Sequence, residues 1–143
     1  MKEIRGNLWD YEGQKGYVIC ITTNGFVKNN GHAVMGRGCA LEAAKKMPTL
    51  PVRLGDKIKY AGNHCHWMAL DLFTFPVKHV WWDPADITLI DRSAKELREQ
   101  AELYPDLTFI LPRPGCGNGG LKWEDVRPVI AGILPDNVWA ITT

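Results

Sequence analysis

The chain has 143 residues, of which 45% are hydrophobic and 23% charged, and its formal net charge is +1 at pH 7. This composition is typical of one globular domain that buries a single core. No apolar run reaches the length of a membrane span, which argues against a membrane protein. The scattered charges form no basic stripe of the kind that grips nucleic-acid backbones.

The sequence predicts a single domain over residues 1–143, because no linker, repeat or low-complexity tract divides it. Its first residues, Met1 to Arg5, lack the apolar core of a signal peptide, so we expect a cytoplasmic protein. We expect no cofactor. The oligomeric state stays open.

The first half of the chain alternates strand and helix signals. Residues 2–8 can form a strand, and residues 17–22 predict a buried one, because they are β-branched and nearly all apolar. After a polar loop, residues 36–46 predict a helix rich in Ala, Leu, Glu and Lys that stops at Pro48. Residues 66–75 predict a strand that ends at the following proline.

The second half contains the clearest periodic signal. An apolar stripe at four- and three-residue steps predicts a helix through Ile90, Ala94, Leu97, Ala101 and Tyr104. Residues 108–111 predict a short buried strand, and residues 138–142 predict a closing one. Between them a helix is marked by Val126, Val129, Ile130 and Ile133, with Pro128 near its first turns. Strands alternating with helices predict an α/β fold with a largely parallel sheet.

Cysteine and histidine usage predicts no metal site. The chain has four widely spaced cysteines and no Cys-x-x-Cys pair, so we expect reduced thiols: Cys20, Cys39, Cys65 and Cys116. His64 and His66 would share one face of a strand, as two metal ligands could. We favour ordinary histidines, because no third and fourth ligand is recognisable.

Two glycine-rich loops carry the functional signal. One follows the strand over 17–22 and contains residues 23–26 and 34–38; the other, residues 114–120, follows the strand over 108–111. Glycines adopt positive φ and let a ligand approach the backbone, and helix N-termini offer free N–H groups to phosphate oxygens. Because such loops line one crevice at the carboxyl ends of parallel strands, they predict a diphosphate held from both sides.

Two better-known nucleotide motifs are excluded. Gly115, Gly117 and Gly120 match G-x-G-x-x-G, but that motif belongs to a first βαβ unit with an acidic residue about twenty positions later. The strand that follows here, residues 138–142, contains no acid. A P-loop is excluded because no Gly-Lys-Ser/Thr follows either loop.

At this point the sequence resembles the macrodomain family over nearly its whole length. Residues 6–9 (GNLW) are similar to the family's opening motif, and residues 21–24 (ITTN) to its Asn segment. Residues 34–41 (VMGRGCAL) and 115–123 (GCGNGGLKW) resemble the two phosphate loops of the branch that contains the DNA and glutamate ADP-ribosyl hydrolases. The last two motifs, together and in order, are specific.

The resemblance implies a three-layer αβα fold with a mixed, largely parallel sheet and an ADP-ribose cleft along its top. Asn7 and Leu8 would meet the adenine end, and Asn24 would hydrogen-bond the distal ribose. Loop residues would hold the diphosphate and distal ribose through backbone N–H groups: Val34, Met35, Gly36, Arg37, Gly38, Cys39, Gly115, Cys116, Gly117, Asn118 and Gly119. The Arg37 side chain could touch a phosphate or face solvent.

Two departures from the family pattern bear on chemistry. Asn7 stands where most relatives have Asp, although an amide oxygen can still accept a bond from the adenine amino group. Gly119 stands where the glutamate-linked hydrolases have Asp, which removes a candidate general acid.

Residues 75–78 (FPVK) resemble the Phe-Pro-Thr-Lys segment of the DNA-directed branch, in which the lysine is catalytic. The resemblance therefore implies a catalytic role for Lys78; the alternative is an ordinary solvated lysine. The nearby Trp81 and Trp82 could fill the core or form a lid over the cleft, since aromatic faces stack on bases.

The sequence thus predicts a protein that binds ADP-ribose and removes it from a modified macromolecule, either a DNA base or a protein side chain. Two alternatives stay open: a non-catalytic reader of ADP-ribose, and a phosphatase acting on ADP-ribose 1″-phosphate. The expected partners are ADP-ribose or an ADP-ribosylated macromolecule, with possible contact to modified DNA and no membrane association.

Overall fold

A computed structural model describes all of residues 1–143. Its single sheet has six strands: β1 (Lys2–Arg5), β2 (Tyr17–Asn24), β3 (Trp67–Ala69), β4 (Leu72–Lys78), β5 (Thr108–Pro112) and β6 (Val138–Thr142). The strand order is β1-β6-β5-β2-β4-β3, and every neighbouring pair is parallel except β3–β4. The predicted α/β class with a mixed, largely parallel sheet is confirmed.

Helices cover both faces of the sheet. There are four α-helices and one short 3₁₀ helix: α1 (Gly38–Lys46), α2 (Leu50–Ala61), α3 (Ile87–Leu103), α4 (Trp123–Ala131) and the 3₁₀ helix Leu8–Tyr11. On one face α1, α2 and the 3₁₀ helix pack against Ile19 and Ile21, and on the other α3 and α4 pack against Phe73 and Phe75. This is the predicted three-layer arrangement. None of the helices is both long enough and apolar enough to cross a bilayer.

The predicted apolar stripe of α3 lies in the core. Ile90, Ala94, Leu97 and Ala101 are fully buried, whereas Tyr104 is exposed and caps the C-terminal end. The helix begins earlier than the stripe, because the Asp86 side chain accepts a hydrogen bond from the Thr88 N–H and so caps the first turn.

The helix α2 was not predicted from the sequence. Pro48 was expected only to end the preceding helix. Pro51 lies in the first turn of α2, where its missing N–H has no helical partner to lose. The helix also contains Gly55, at which a Cβ would lie 1.9 Å from the Gly31 carbonyl oxygen. This glycine lets α2 pack directly on the loop that follows β2.

Three other boundaries differ from prediction. The strand expected over residues 2–8 ends at Arg5, because the 3₁₀ helix follows. The strand expected over 66–75 is a hairpin of β3 and β4. Pro76 lies inside β4, but β3 pairs only with Leu72 and Phe73, so the missing N–H of Pro76 removes no hydrogen bond to β3. The prediction for Pro128 was also wrong: it is the sixth of nine residues in α4, and Ile133 lies beyond the helix end.

Candidate functional site

The loops that follow β2 and β5 line one cleft of about 1410 Å³. The two strands are adjacent and parallel, so their carboxyl ends open at the same edge of the sheet. Every residue proposed from the sequence for catalysis or ligand binding lines this cleft, including Asn7 at one end and Lys78 at the other. The loops face each other closely, since a Cβ on Gly38 would lie 3.5 Å from the Asn118 side-chain nitrogen.

The first loop offers free backbone donors. The N–H groups of Met35, Gly36 and Arg37 donate to no other group of the protein. They lead into α1, whose N-terminus has no side-chain cap and no acidic residue in its first turn. Gly38 turns the chain into the helix with φ at +58°, a conformation that favours glycine. An uncapped helix N-terminus with free N–H groups suits an anion.

The second loop offers three more free donors, the N–H groups of Gly117, Asn118 and Gly119. Its glycines differ in purpose. Gly115 has φ at +76°, and a Cβ there would lie 2.8 Å from Ile90, so this glycine is needed for folding. Gly117 does not have the positive φ expected from the sequence, and a Cβ there would meet nothing within 4 Å. Gly117 therefore leaves open space in the cleft.

Asn24 braces the first loop. Its side-chain Nδ2 donates to the Val34 carbonyl at 3.0 Å, and its Oδ1 accepts from the Phe26 N–H at 2.9 Å. This bracing was not foreseen from the sequence. One N–H and one lone pair of the amide stay available to a ligand.

Lys78 is the last residue of β4. It pairs with Asn24 at the end of β2, and the register between the two strands shifts just before this pair, at a β-bulge. The Lys78 carbonyl accepts from the Gly25 N–H at 3.1 Å and from Asn63 Nδ2 at 3.0 Å. The Lys78 ammonium nitrogen lies 3.4 Å from the carbonyl oxygens of both Trp81 and Asn118. Lys78 thus joins the end of β4 to the second glycine loop.

The cleft is lined by more cations than anions. Its basic residues are Lys28, Arg37, Lys78, Arg113 and Lys122, and its acidic ones are Glu42 and Glu124. Sequence inspection missed this excess, because the residues are scattered along a chain of formal net charge +1. Together with the free N–H groups, these side chains favour an anionic ligand.

The thiols of the cleft are poor nucleophiles. Burial raises the pKa of the Cys39 thiol, which also contacts the Thr22 hydroxyl at 3.4 Å, and burial raises the pKa of the Cys116 thiol as well. Because the thiolate is the reactive form, neither cysteine is activated.

His64 and His66 bind different partners. His64 Nδ1 lies 2.6 Å from a Glu96 carboxylate oxygen, while His66 Nε2 lies 2.9 Å from the Gly62 carbonyl oxygen. The His64 contact ties the segment between α2 and β3 to α3, whereas the His66 contact lies within that segment.

Sequence and structure comparisons identify the fold. No family model matches the chain. A curated DNA ADP-ribosyl glycohydrolase of Thermus aquaticus is 32% identical over 63 residues, which are 44% of this chain and 18% of that relative. The chain thus matches less than a fifth of that protein's length.

Solved structures match over almost the whole chain. The macrodomain of Mycobacterium tuberculosis DarG has a TM-score of 0.77 at 25% identity, covering 98% of this chain and 95% of that one. The chain has the macrodomain fold. Thermosipho africanus DarTG in complex with ADP-ribose has a TM-score of 0.75 at 19% identity, covering 99% of this chain and 41% of that one. The macrodomain of Thermus aquaticus DarG has a TM-score of 0.71 at 24% identity, and the match covers 99% of this chain and 97% of that one.

The two departures from the family pattern have structural consequences in this chain. Asn7 caps the 3₁₀ helix, since its Oδ1 accepts from the Trp9 N–H at 3.0 Å, so one oxygen lone pair is already used. Gly119 has no space for an aspartate, because a Cβ there would lie 2.5 Å from the Gly115 carbonyl oxygen. An acid could not be restored at position 119 without moving the loop.

Trp9 belongs to the GNLW motif, but the sequence did not predict it as a site residue. It lines the cleft beside Asn7, and its indole nitrogen is buried without a hydrogen-bond partner. A buried donor without a partner is costly, and no group of the protein satisfies this N–H.

The core alternative for Trp81 and Trp82 is wrong. Their exposed fractions are 51% and 57%, and Trp81 lines the cleft close to Lys78. The segment that carries them is held at its far end by the pair His79–Asp86, at 2.8 Å, and by the Ala85 N–H bonded to the Gly119 carbonyl at 2.9 Å.

We expect Asp86→Ala to lower the free energy of unfolding by about 1 kcal/mol, because it removes the N-cap of α3. The hydrogen bond from His79 and the Thr88 N–H hold the pKa of Asp86 below its usual value. The carboxylate therefore stabilises the fold above the ordinary Asp pKa, and this contribution disappears as the pH falls through the lowered value. Urea denaturation should show a difference in the free energy of unfolding between the wild type and Asp86→Ala at neutral pH. At acid pH the two free energies should become equal.

The exposed Asp56→Ala on α2 provides the control for this measurement, since its carboxylate makes no recorded bond. An Asp86→Ala variant as stable as the wild type at neutral pH would show that the cap contributes nothing.

Proposed function

We propose that this macrodomain binds ADP-ribose, with the diphosphate between the two glycine loops. The observation that carries the proposal is the set of free N–H groups, three from each loop, facing one cation-lined cleft. A diphosphate has oxygens on both sides and a negative charge that these donors would neutralise. The Thermosipho africanus structure, which holds ADP-ribose, supports this choice of ligand.

In this proposal the ligand lies along the cleft from Asn7 to Lys78. Asn7 and Leu8 meet the adenine, with the free lone pair of Asn7 accepting from its amino group. Asn24 uses its remaining N–H for the distal ribose, and the anomeric carbon of that ribose lies near Lys78.

We further propose that the bound ADP-ribose is cleaved from a modified DNA base. Hydrolysis breaks the bond between the anomeric carbon and the base, adds water, and returns a proton to the departing base. The Lys78 amine can attack or deprotonate near that carbon when it is neutral. The departing base takes up the proton released when water adds to the anomeric carbon, and the name of the Thermus aquaticus relative supports DNA as the target.

The direct test incubates the protein with ADP-ribosylated DNA and ADP-ribosylated protein in parallel. The proposal expects free ADP-ribose, with faster release from DNA. Phosphate released from ADP-ribose 1″-phosphate would instead indicate a phosphatase. Binding without release from any linkage would indicate a reader.

Calorimetric titration tests the binding step separately. ADP-ribose should bind more tightly than NAD, because the nicotinamide on the distal ribose would compete for the space next to Lys78 and Trp81. Equal or tighter binding of NAD would contradict the proposed orientation.

A further inference from the structure

The end of β4 that carries Lys78 has a neighbouring strand on one side only. Because β3 pairs with β4 at Leu72 and Phe73 alone, the later residues of β4 are flanked by β2 and by no other strand. The pairing with β2 is also irregular here, since the register shifts after Thr23 and Pro76 has no N–H to donate. Groups from outside the sheet are therefore needed to fix the last residues of β4.

Asn63 is such a group, and it binds the backbone of Lys78 itself. Its side-chain Nδ2 donates to the Lys78 carbonyl at 3.0 Å, and the Gly25 N–H donates to the same oxygen at 3.1 Å, so both lone pairs of that oxygen are used. The amide fits there because residue 25 is glycine: a Cβ on Gly25 would lie 2.6 Å from the Asn63 side chain. Two donors on one carbonyl fix the orientation of the peptide group between Lys78 and His79.

The backbone of Asn63 is in turn tied to α3. The Arg92 side chain donates to the Asn63 carbonyl. Directly after Asn63, the Glu96 carboxylate accepts from the Cys65 N–H at 2.8 Å and contacts His64 Nδ1 at 2.6 Å. A side chain that projects from an anchored backbone loses little further freedom when it binds, so Asn63 can hold its partner in one place.

We propose that Asn63 is a positioning residue for Lys78, which fixes the backbone from which the Lys78 amine reaches into the cleft. Asn63 does not line the cleft, so it would act without touching the ligand. From the fixed backbone the Lys78 nitrogen extends to within 3.4 Å of the Trp81 and Asn118 carbonyl oxygens. The proposal rests on the proposed function, in which Lys78 supplies the reacting amine. Misplacing a reacting group by about 1 Å can reduce a rate roughly a hundredfold.

Single-turnover release from ADP-ribosylated DNA, with calorimetry for ADP-ribose, tests this role. Asn63→Ala should reduce the rate roughly ten- to a hundredfold and leave the Kd for ADP-ribose within about twofold of the wild type. Asn63→Asp keeps the shape of the side chain but has no N–H to donate when ionised, so it should lose a similar factor. In a Lys78→Ala background Asn63→Ala should cause no further loss, because no amine is left to position.

Ser93→Ala is the matched control. Ser93 is buried on α3, and its Oγ donates to the Pro76 carbonyl at 2.7 Å, two residues before Lys78. The variant loses the same kind of bond, so it should lower the free energy of unfolding at least as much as Asn63→Ala and yet keep the rate of release within about twofold. Equal rate losses in the two variants, or a loss from Asn63→Ala that persists in the Lys78→Ala background, would show that Asn63 supports only the fold. An unchanged rate in Asn63→Ala would also overturn the proposal.

Crystal structures of the wild type and of Asn63→Asp test the placement without any turnover. In the variant the Lys78 nitrogen should leave its place between the Trp81 and Asn118 carbonyl oxygens, and an unmoved Lys78 would overturn the proposal. A wild-type protein that releases ADP-ribose from no linkage would contradict the proposed hydrolysis. The two structures would still decide whether Asn63 positions Lys78, so the two failures are distinguishable.

Discussion

Replacing Lys78 with Ala should reduce the rate of ADP-ribose release by two orders of magnitude or more, while ADP-ribose still binds. The reason is positional. The Lys78 nitrogen lies 3.4 Å from carbonyl oxygens on both sides of the cleft mouth, those of Trp81 and Asn118. Burial raises the pKa of the Cys39 and Cys116 thiols, so neither is activated as a nucleophile. Single-turnover release from ADP-ribosylated DNA and calorimetry with ADP-ribose separate the two effects.

Two further variants sharpen this experiment. Lys78→Arg keeps the positive charge but cannot supply a neutral amine, so it should be as inactive as Lys78→Ala if the amine reacts. Activity retained by Lys78→Arg would instead show that the charge alone is needed. Lys57→Ala removes an exposed lysine of α2 as the matched control. Equal rates for the wild type and Lys78→Ala would remove Lys78 from the mechanism.

The second large effect is expected for Gly117→Val, which should abolish ADP-ribose binding while the domain stays folded. A Cβ at Gly117 would meet nothing within 4 Å and its φ is not positive, so the protein itself tolerates a side chain. The branched side chain would occupy the space beside the free N–H groups of the second loop and exclude a phosphate from it. Circular dichroism checks the fold, and calorimetry checks binding.

Gly132→Val is the matched control, since a Cβ there meets only backbone oxygens at ordinary contact distances of 3.8 and 3.9 Å at the end of α4. Gly115→Val is the opposite case. Because Gly115 has a positive φ and a Cβ there would clash with Ile90, this substitution should unfold the domain. A folded Gly117→Val that binds ADP-ribose normally would exclude the second loop as a phosphate site.

Much of the site could be predicted because it is local in sequence. Each glycine loop is a continuous segment directly after a buried strand, and parallel neighbouring strands bring such segments to one edge. Local sequence could not distinguish among the glycines of a loop. Gly115 is needed for its backbone conformation, Gly117 for open space and Gly119 for close packing, and these differences depend on Ile90 and Ala85 from elsewhere in the chain.

The sequence by itself determined the alternation of strands and helices, the two loops and the family that they resemble, because these are carried by short-range patterns. Only the tertiary structure decided how the ends of the cleft are built. Asn63, from the segment after the unpredicted helix α2, donates a hydrogen bond to the Lys78 carbonyl, and Phe26 packs edge-on against Trp82. The cation excess of the cleft is likewise assembled from distant positions. Contacts between residues far apart in the chain leave no periodic signal, so they become visible only when the sheet brings those residues together.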